Sequence, residues 1–206
     1  LNCKVISIGN ITVGGSGKTP TVQYLSNLLQ SKGHNVGIIS RGYKRKSKST
    51  LVVTDGKNKP KSWEHVGDEP FLLAHKLENI PIVVGVSRYK AGSVMIEKFQ
   101  PDVILIDDGF QHLSLHRDLD IVLVNSKDKR SDYKLIPSGK LREPMSNITR
   151  ADLIVITKTN IHQPSNYLIN KIESFNRPTI YNKIQIEDLL QYNSNESNKL
   201  EKISNK

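Results

Sequence analysis

The chain has 206 residues, 36% of them apolar, and a formal net charge of +10. That size allows one ordinary domain with a full core and a small appendage, and no apolar run approaches the ~18 residues that cross a bilayer. Cys3 is the only cysteine, which excludes an internal disulfide and points to the cytosol.

The chain starts at Leu1 rather than Met and is expected to be a piece of a longer protein; no signal peptide is visible. Residues 182–206 hold four Lys and four Asp/Glu, so the whole positive surplus lies in 1–181. It gathers at Lys44, Arg45, Lys46 and Lys48, at Lys57, Lys59 and Lys61, and at Lys127, Lys129 and Arg130. Such surfaces suit polyanions, anionic lipid headgroups or phosphorylated substrates; the plainer alternative is a merely soluble basic surface. No aromatic residues interleave the clusters, so no nucleic-acid partner is expected.

In chain order, Val5–Ile8 is the first predicted strand. The run Thr12-Val13-Gly14-Gly15-Ser16-Gly17-Lys18-Thr19 follows, then a helix over Thr21–Ser31 with Val22, Leu25, Leu28 and Leu29 on one face and Gly33 at its end. Val36–Ser40 is a second buried strand. Residues 41–65 are polar, basic and irregular, apart from a β-like run at Leu51–Thr54 with an Asp55-Gly56 turn. A helix is predicted over Glu69–Glu78, a strand over Pro81–Val86 and a helix over Arg88–Phe99. Strands follow at Val103–Ile106, Asp120–Asn125 and Leu153–Thr157. Continuous apolar runs alternating with amphipathic helices predict an α/β fold: a mostly parallel sheet with helices on both faces, a three-layer sandwich of the P-loop NTPase kind. Residues 1–181 form the expected nucleotide-binding domain, and 182–206, rich in Asn, Ser and Lys, a polar tail or the start of a second lobe.

The chemistry starts at the glycine-rich run. Glycines let backbone N–H groups approach phosphate oxygens, and the following helix N-terminus adds partial positive charge. Lys18 would reach the β- and γ-phosphates and the Thr19 hydroxyl would sit on Mg²⁺. Thr12 occupies the position where the standard pattern has glycine; Gly14, Gly15 and Gly17 supply the backbone freedom instead. The apolar strand at Val103–Ile106 delivers Asp107 and Asp108, an adjacent carboxylate pair that a divalent cation would tolerate. Arg41 and Arg88 each follow a strand end and would clamp phosphate oxygens, or else make surface salt bridges. Asp68 in Gly67-Asp68-Glu69-Pro70 is either a helix N-cap or a general base for an attacking hydroxyl. Gln111 follows the metal strand and would orient a nucleophile or touch a phosphate; His112 beside it would serve as a structural hydrogen-bonder. Glu143 sits in the loop Pro137–Pro144 as an outer-sphere contact to metal or nucleotide, or as a solvated charge. Ligands in such sheets bind beyond the carboxyl ends of the strands, where Lys18, Arg41, Asp107 and Asp108 all fall.

Five stretches together resemble the tetraacyldisaccharide 4′-kinase family. They are Gly9–Pro20, Ser40-Arg41-Gly42-Tyr43, Val66-Gly67-Asp68-Glu69-Pro70, Asp107-Asp108-Gly109-Phe110-Gln111-His112 and Leu141-Arg142-Glu143-Pro144, in the family's order. The Thr12 departure is itself a family trait. The resemblance implies transfer of the ATP γ-phosphate to the 4′-hydroxyl of a tetraacylated glucosamine disaccharide 1-phosphate, giving lipid IVA, with Mg²⁺, at the cytoplasmic face of the bacterial inner membrane. It implies that Asp68 is the catalytic base, that Lys18, Thr19, Asp107 and Asp108 serve phosphate and metal, and that Arg41, Arg88, Gln111 and Glu143 are active-site contacts. It also implies an N-terminal membrane-associated helix and a second lobe after Lys158 whose histidine partners the base; residues 159–206 do not match that lobe. Phe110 and Lys140 depart from the family's usual leucine and proline. Two other readings stay open: a phosphate-loop ATPase or carboxylate-activating ligase, and a nucleotide-dependent switch module. No guanine-selecting Asn-Lys-x-Asp motif is present, and Thr157-Lys158-Thr159-Asn160 is a faint echo of one.

Overall fold

The computed structural model describes Leu1 and residues 3–185, 188–190 and 197–199. Eight strands form one sheet: β1 (Lys4–Asn10), β2 (Val36–Ser40), β3 (Leu51–Thr54), β4 (Ile82–Val84), β5 (Val103–Asp107), β6 (Leu119–Asn125), β7 (Leu153–Thr157) and β8 (Thr179–Tyr181). Their order is β3-β4-β2-β5-β1-β6-β7-β8. All neighbours are parallel except β3, which runs antiparallel to β4 at one edge. The expected α/β architecture is therefore present, and β1 lies in the middle of it.

Helices α1 (Lys18–Ser31), α2 (Trp63–Val66), α3 (Asp68–Lys76), α4 (Arg88–Phe99) and α5 (Asn166–Glu173) connect the strands. Strand parity sorts the core. Ile8, Ile38, Leu105, Ile121, Leu123 and Val155 face Val22 of α1 and Leu73 and Ala74 of α3. On the opposite face Ile39, Val83, Ile104 and Ile106 pack on Ala91 and Met95 of α4, and Val122, Val124, Ile154 and Ile156 on Leu168 and Ile172 of α5. Central strands apolar on both faces are what a doubly covered parallel sheet requires.

Local chemistry sets the ends of the helices. The α1 C-terminus closes with the Gly33 N–H donating to Gln30 O and the His34 N–H to Leu29 O, with Gly33 at φ 86°, a Schellman arrangement. Ser87 and Ser165 cap α4 and α5 through their side chains. The predicted helix at Thr21 starts three residues earlier, at Lys18, because Pro20 fits a first turn. The predicted strand Pro81–Val86 is shorter, since Gly85 and Val86 turn away toward α4. The 63–66 helix, α5 and β8 are not among the predicted elements. Of the expected tail, residues 188–190 (β9) and 197–199 (β10) form a separate antiparallel pair. The remainder beyond 185 lies outside the described residues.

Candidate active site

The phosphate loop leaves β1 beside the end of β5: Ile8 pairs with Asp107, the last residue of its strand. Gly14 and Gly17 take φ of 114° and 89°, values that side chains rarely adopt. No side chain caps the N-terminus of α1 and no acidic residue occupies its first turn, so its amide groups are open to an anion. The loop Leu135–Pro144 runs antiparallel along this entrance. The Val13 N–H donates to Lys140 O and the Arg142 N–H to Ile11 O, with Thr12 bridging to Leu141. Thr12 is thus buried against the loop, while Val13 is exposed.

Lys18 is 9% exposed; its Nζ donates to Asn10 Oδ1 at 3.1 Å and lies 3.5 Å from Asp108 Oδ1. Asn10 is itself fixed by donating from Nδ2 to Thr12 O at 2.6 Å. Asp108 has φ 56°, a strained backbone that turns its carboxylate toward the loop. Arg142 NH1 reaches both oxygens of Asp108 at 3.0 Å. Burial pushes the Asp108 carboxyl up, but Lys18 and Arg142 outweigh it and leave it below the ordinary range. Asp107 is fully buried and neither carboxylate oxygen has a hydrogen-bond partner. Burial, with repulsion from Glu69 and Asp108, raises it to about 7 against the pull of Lys18 and Arg88.

Lys18, Asp108 and Arg142 open onto a cleft of about 690 Å³ that Arg41, Glu69 and Arg88 also line, among others. Arg88 is 4% exposed and donates to Gly85 O and Val86 O, while its Nε has no partner. Gln111 also lines the cleft and donates to Asn10 O and Glu143 Oε1, both at 2.8 Å. His112 lies there as well, held below its ordinary range by burial and by Arg88, Arg117 and Arg41.

Of the expected site residues, Thr12–Gly17, Thr19 and Asp107 lie outside the cleft lining, and so do Asp68 and Glu143. Asp68 is the first residue of α3 and exposed, with Oδ1 accepting from the Glu69 N–H at 3.0 Å; it is Glu69 that faces the cleft. Glu143 stands behind Gln111, its Oε2 taken by Asn147 at 2.8 Å and Arg150 at 2.7 Å. Gly67 brings α3 against Gly42: a Cβ on Gly67 would meet Gly42 Cα at 2.9 Å, so the Arg41 and Asp68 loops dock backbone to backbone. Sequence reasoning passed over Asn10, Glu69 and Arg142 as site members. Each sits inside a recognised stretch, but only the fold gives it a partner.

The residues fit a hard divalent cation. Asp107 is an orphaned buried carboxylate beside Asp108, and the Thr19 hydroxyl stands one residue beyond Lys18 at the start of α1. Among the described residues no group of three His, Cys, Asp or Glu side chains would hold a metal alone. Mg²⁺ is commonly held by one or two carboxylates together with water and phosphate oxygens.

A central parallel strand, a glycine loop, a helix opening on Lys-Thr and a neighbouring strand ending in Asp define a P-loop NTPase-like fold. The chain belongs to the tetraacyldisaccharide-1-P 4′-kinase family, whose model matches residues 1–205. Tetraacyldisaccharide 4′-kinase of Aquifex aeolicus is 49% identical over 167 residues, covering 81% of this chain and 51% of that protein. The Geobacter sulfurreducens enzyme of the same name is 45% identical over 159 residues, covering 77% of this chain and 45% of that protein. The chain therefore spans about half the length of these relatives. A crystal structure of Aquifex aeolicus LpxK in complex with ATP superposes with a TM-score of 0.77 at 46% identity, covering 88% of this chain and 54% of that one. The hydrogenase maturation factor HypB of Archaeoglobus fulgidus shares the fold, with a TM-score of 0.50 at 14% identity over 87% of this chain and 80% of that one.

Proposed function

We propose that this chain is the nucleotide-binding part of a lipid kinase that transfers the γ-phosphate of ATP to the 4′-hydroxyl of tetraacyldisaccharide 1-phosphate, forming lipid IVA. The observation that carries the reading is the 3.5 Å approach of Lys18 to Asp108 at the mouth of the phosphate loop, in a chain of this family.

In this mechanism the amides of Gly14–Thr19 cradle the phosphates and Lys18 leaves Asp108 for the β- and γ-phosphate oxygens. Thr19, Asp107 and Asp108 would hold Mg²⁺, which when bound neutralises phosphate charge. Arg88, tethered by its own strand-end carbonyls, presents a fixed guanidinium to the transferred group, and Arg41 adds a second from the exposed side. Gln111, anchored through Glu143, lines the path of the nucleophile. Asp68 accepts the proton of the 4′-hydroxyl as its oxygen bonds to the γ-phosphorus and the bond to ADP breaks. Residues 1–181 form the nucleotide-binding unit. The basic surface holds the protein to anionic lipid at the cytoplasmic face of the inner membrane, at about 1 kcal/mol per well-placed Lys or Arg.

Labelled ATP and the lipid disaccharide monophosphate, supplied to a chain of the relatives' full length, test the reading. A bisphosphorylated lipid whose formation needs Lys18 and Asp68 supports it. Label released only as free phosphate favours an ATPase or switch.

A further inference from the structure

The segment Thr157-Lys158-Thr159-Asn160 has no part in the mechanism above, yet it touches the phosphate loop directly. Thr157 Oγ1 donates to Ser16 O at 2.9 Å, and Lys158 Nζ donates to Gly15 O at 2.7 Å. Asn125 Nδ2, at the end of β6, reaches the same Gly15 carbonyl at 3.3 Å. Two consecutive loop carbonyls are therefore held from the β6–β7 side, on the outer flank of the loop.

The backbone of Lys158 is bent to make this contact. Its φ is 64°, a left-handed value that costs a non-glycine residue free energy. Ser126 steadies the bend: its N–H donates to Thr157 O and its Oγ to Lys158 O, both at 3.1 Å. Strain held in place by a dedicated partner, and spent on a charge-assisted bond to a loop carbonyl, is what a positioning device requires.

We infer that Thr157 and Lys158 are positioning residues that set the peptide planes of the phosphate loop for the nucleotide phosphates. A trans peptide is planar, so holding Ser16 C=O outward turns the Gly17 N–H to the inner side, where phosphate oxygens would lie. Holding Gly15 C=O fixes the preceding plane, whose Ser16 N–H closes the turn on Gly14 O at 3.0 Å. The segment does not read the base. Asn160, the residue that would do so, spends both ends of its amide on Ile184, accepting from its N–H at 3.0 Å and donating to its carbonyl at 2.8 Å.

This inference rests on the phosphate loop binding nucleotide, and the test separates the two. Calorimetric titration of ATP and of GTP into the chain compares wild type with Lys158→Met, Thr157→Val, Thr157→Ser and Lys18→Ala. Lys158→Met and Thr157→Val each weaken ATP about tenfold, the loss of one strong hydrogen bond, with the ATP-to-GTP ratio unchanged. Thr157→Ser keeps wild-type affinity. Should Thr157→Val not fold, Lys158→Met, at a half-exposed position, carries the comparison. Wild-type ATP affinity in Lys158→Met overturns the inference, as does a changed ATP-to-GTP ratio. A wild-type chain that ignores ATP, or a Lys18→Ala chain that binds it equally well, removes the nucleotide reading and this inference with it.

Discussion

Lys18 and Arg142 share one carboxylate, Asp108, at 3.5 Å and 3.0 Å. One cation comes from the start of α1 and the other from the loop after β6, so Asp108 ties the start of α1 to the Leu135–Pro144 loop beside the phosphate loop. Its neighbour Asp107 has no such partner and stays protonated more readily. The two adjacent acids thus differ in how readily they ionise.

Replacing Asp108 should separate attraction for phosphate from catalysis. Asp108→Asn frees Lys18 and Arg142 and removes a negative charge from the cleft. Metal-free ATP is expected to bind several-fold tighter, roughly what one screened charge contributes at this range. Magnesium-dependent phosphoryl transfer is expected to fall at least about 100-fold. Binding measured with and without magnesium, alongside turnover, checks both signs.

Asp107 makes a pH prediction. Its folded pKa, about 7, lies above its ordinary value of 3.8. Between those values the folded state binds more protons than the unfolded state, so this group's contribution is fully present below pH 3.8 and is lost as pH rises through about 7. Asp107→Asn should therefore raise the thermal midpoint at pH 8 and leave it nearly unchanged at pH 4. A melting series across that range, wild type minus variant, isolates the one group.

Asp68, the proposed base, is exposed, while its neighbour Glu69 lines the cleft. Asp68→Asn is expected to lower kcat by roughly 10²–10⁴ with ATP affinity within about twofold. Glu69→Gln, next to Lys18 and Asp107, is expected to change ATP affinity as well. Turnover and nucleotide titration on both variants distinguish them.

Gly67→Ala tests the docking of the two loops. Its φ of 96° and the 2.9 Å approach to Gly42 Cα leave no room for a methyl group. A loss of about 1–3 kcal/mol of stability is expected in denaturant unfolding.

Much of this was legible in the chain because parallel strands buried on both faces read as unbroken apolar runs. Helix α4 follows its predicted bounds because Ser87 and an alternation of apolar faces mark them. Helix α5 escaped notice because only Leu168 and Ile172 of its eight residues are buried, amid Asn, Tyr and Lys. In the site, the glycine loop and the Asp pair announce themselves through chemistry local to a few residues. Asn10 and Arg142 do not, because their work depends on partners 8 and 34 positions away. Glu143 shows the converse: its motif was visible, but only packing reveals that Gln111, Asn147 and Arg150 consume its oxygens.

The most direct measurement is the affinity of this chain for ATP in magnesium, before and after Lys18→Ala. Removing the ammonium from a buried charge pair should cost at least about 30-fold in affinity. ATP binding that is indifferent to Lys18 would place the nucleotide elsewhere and contradict the site built between α1 and β5.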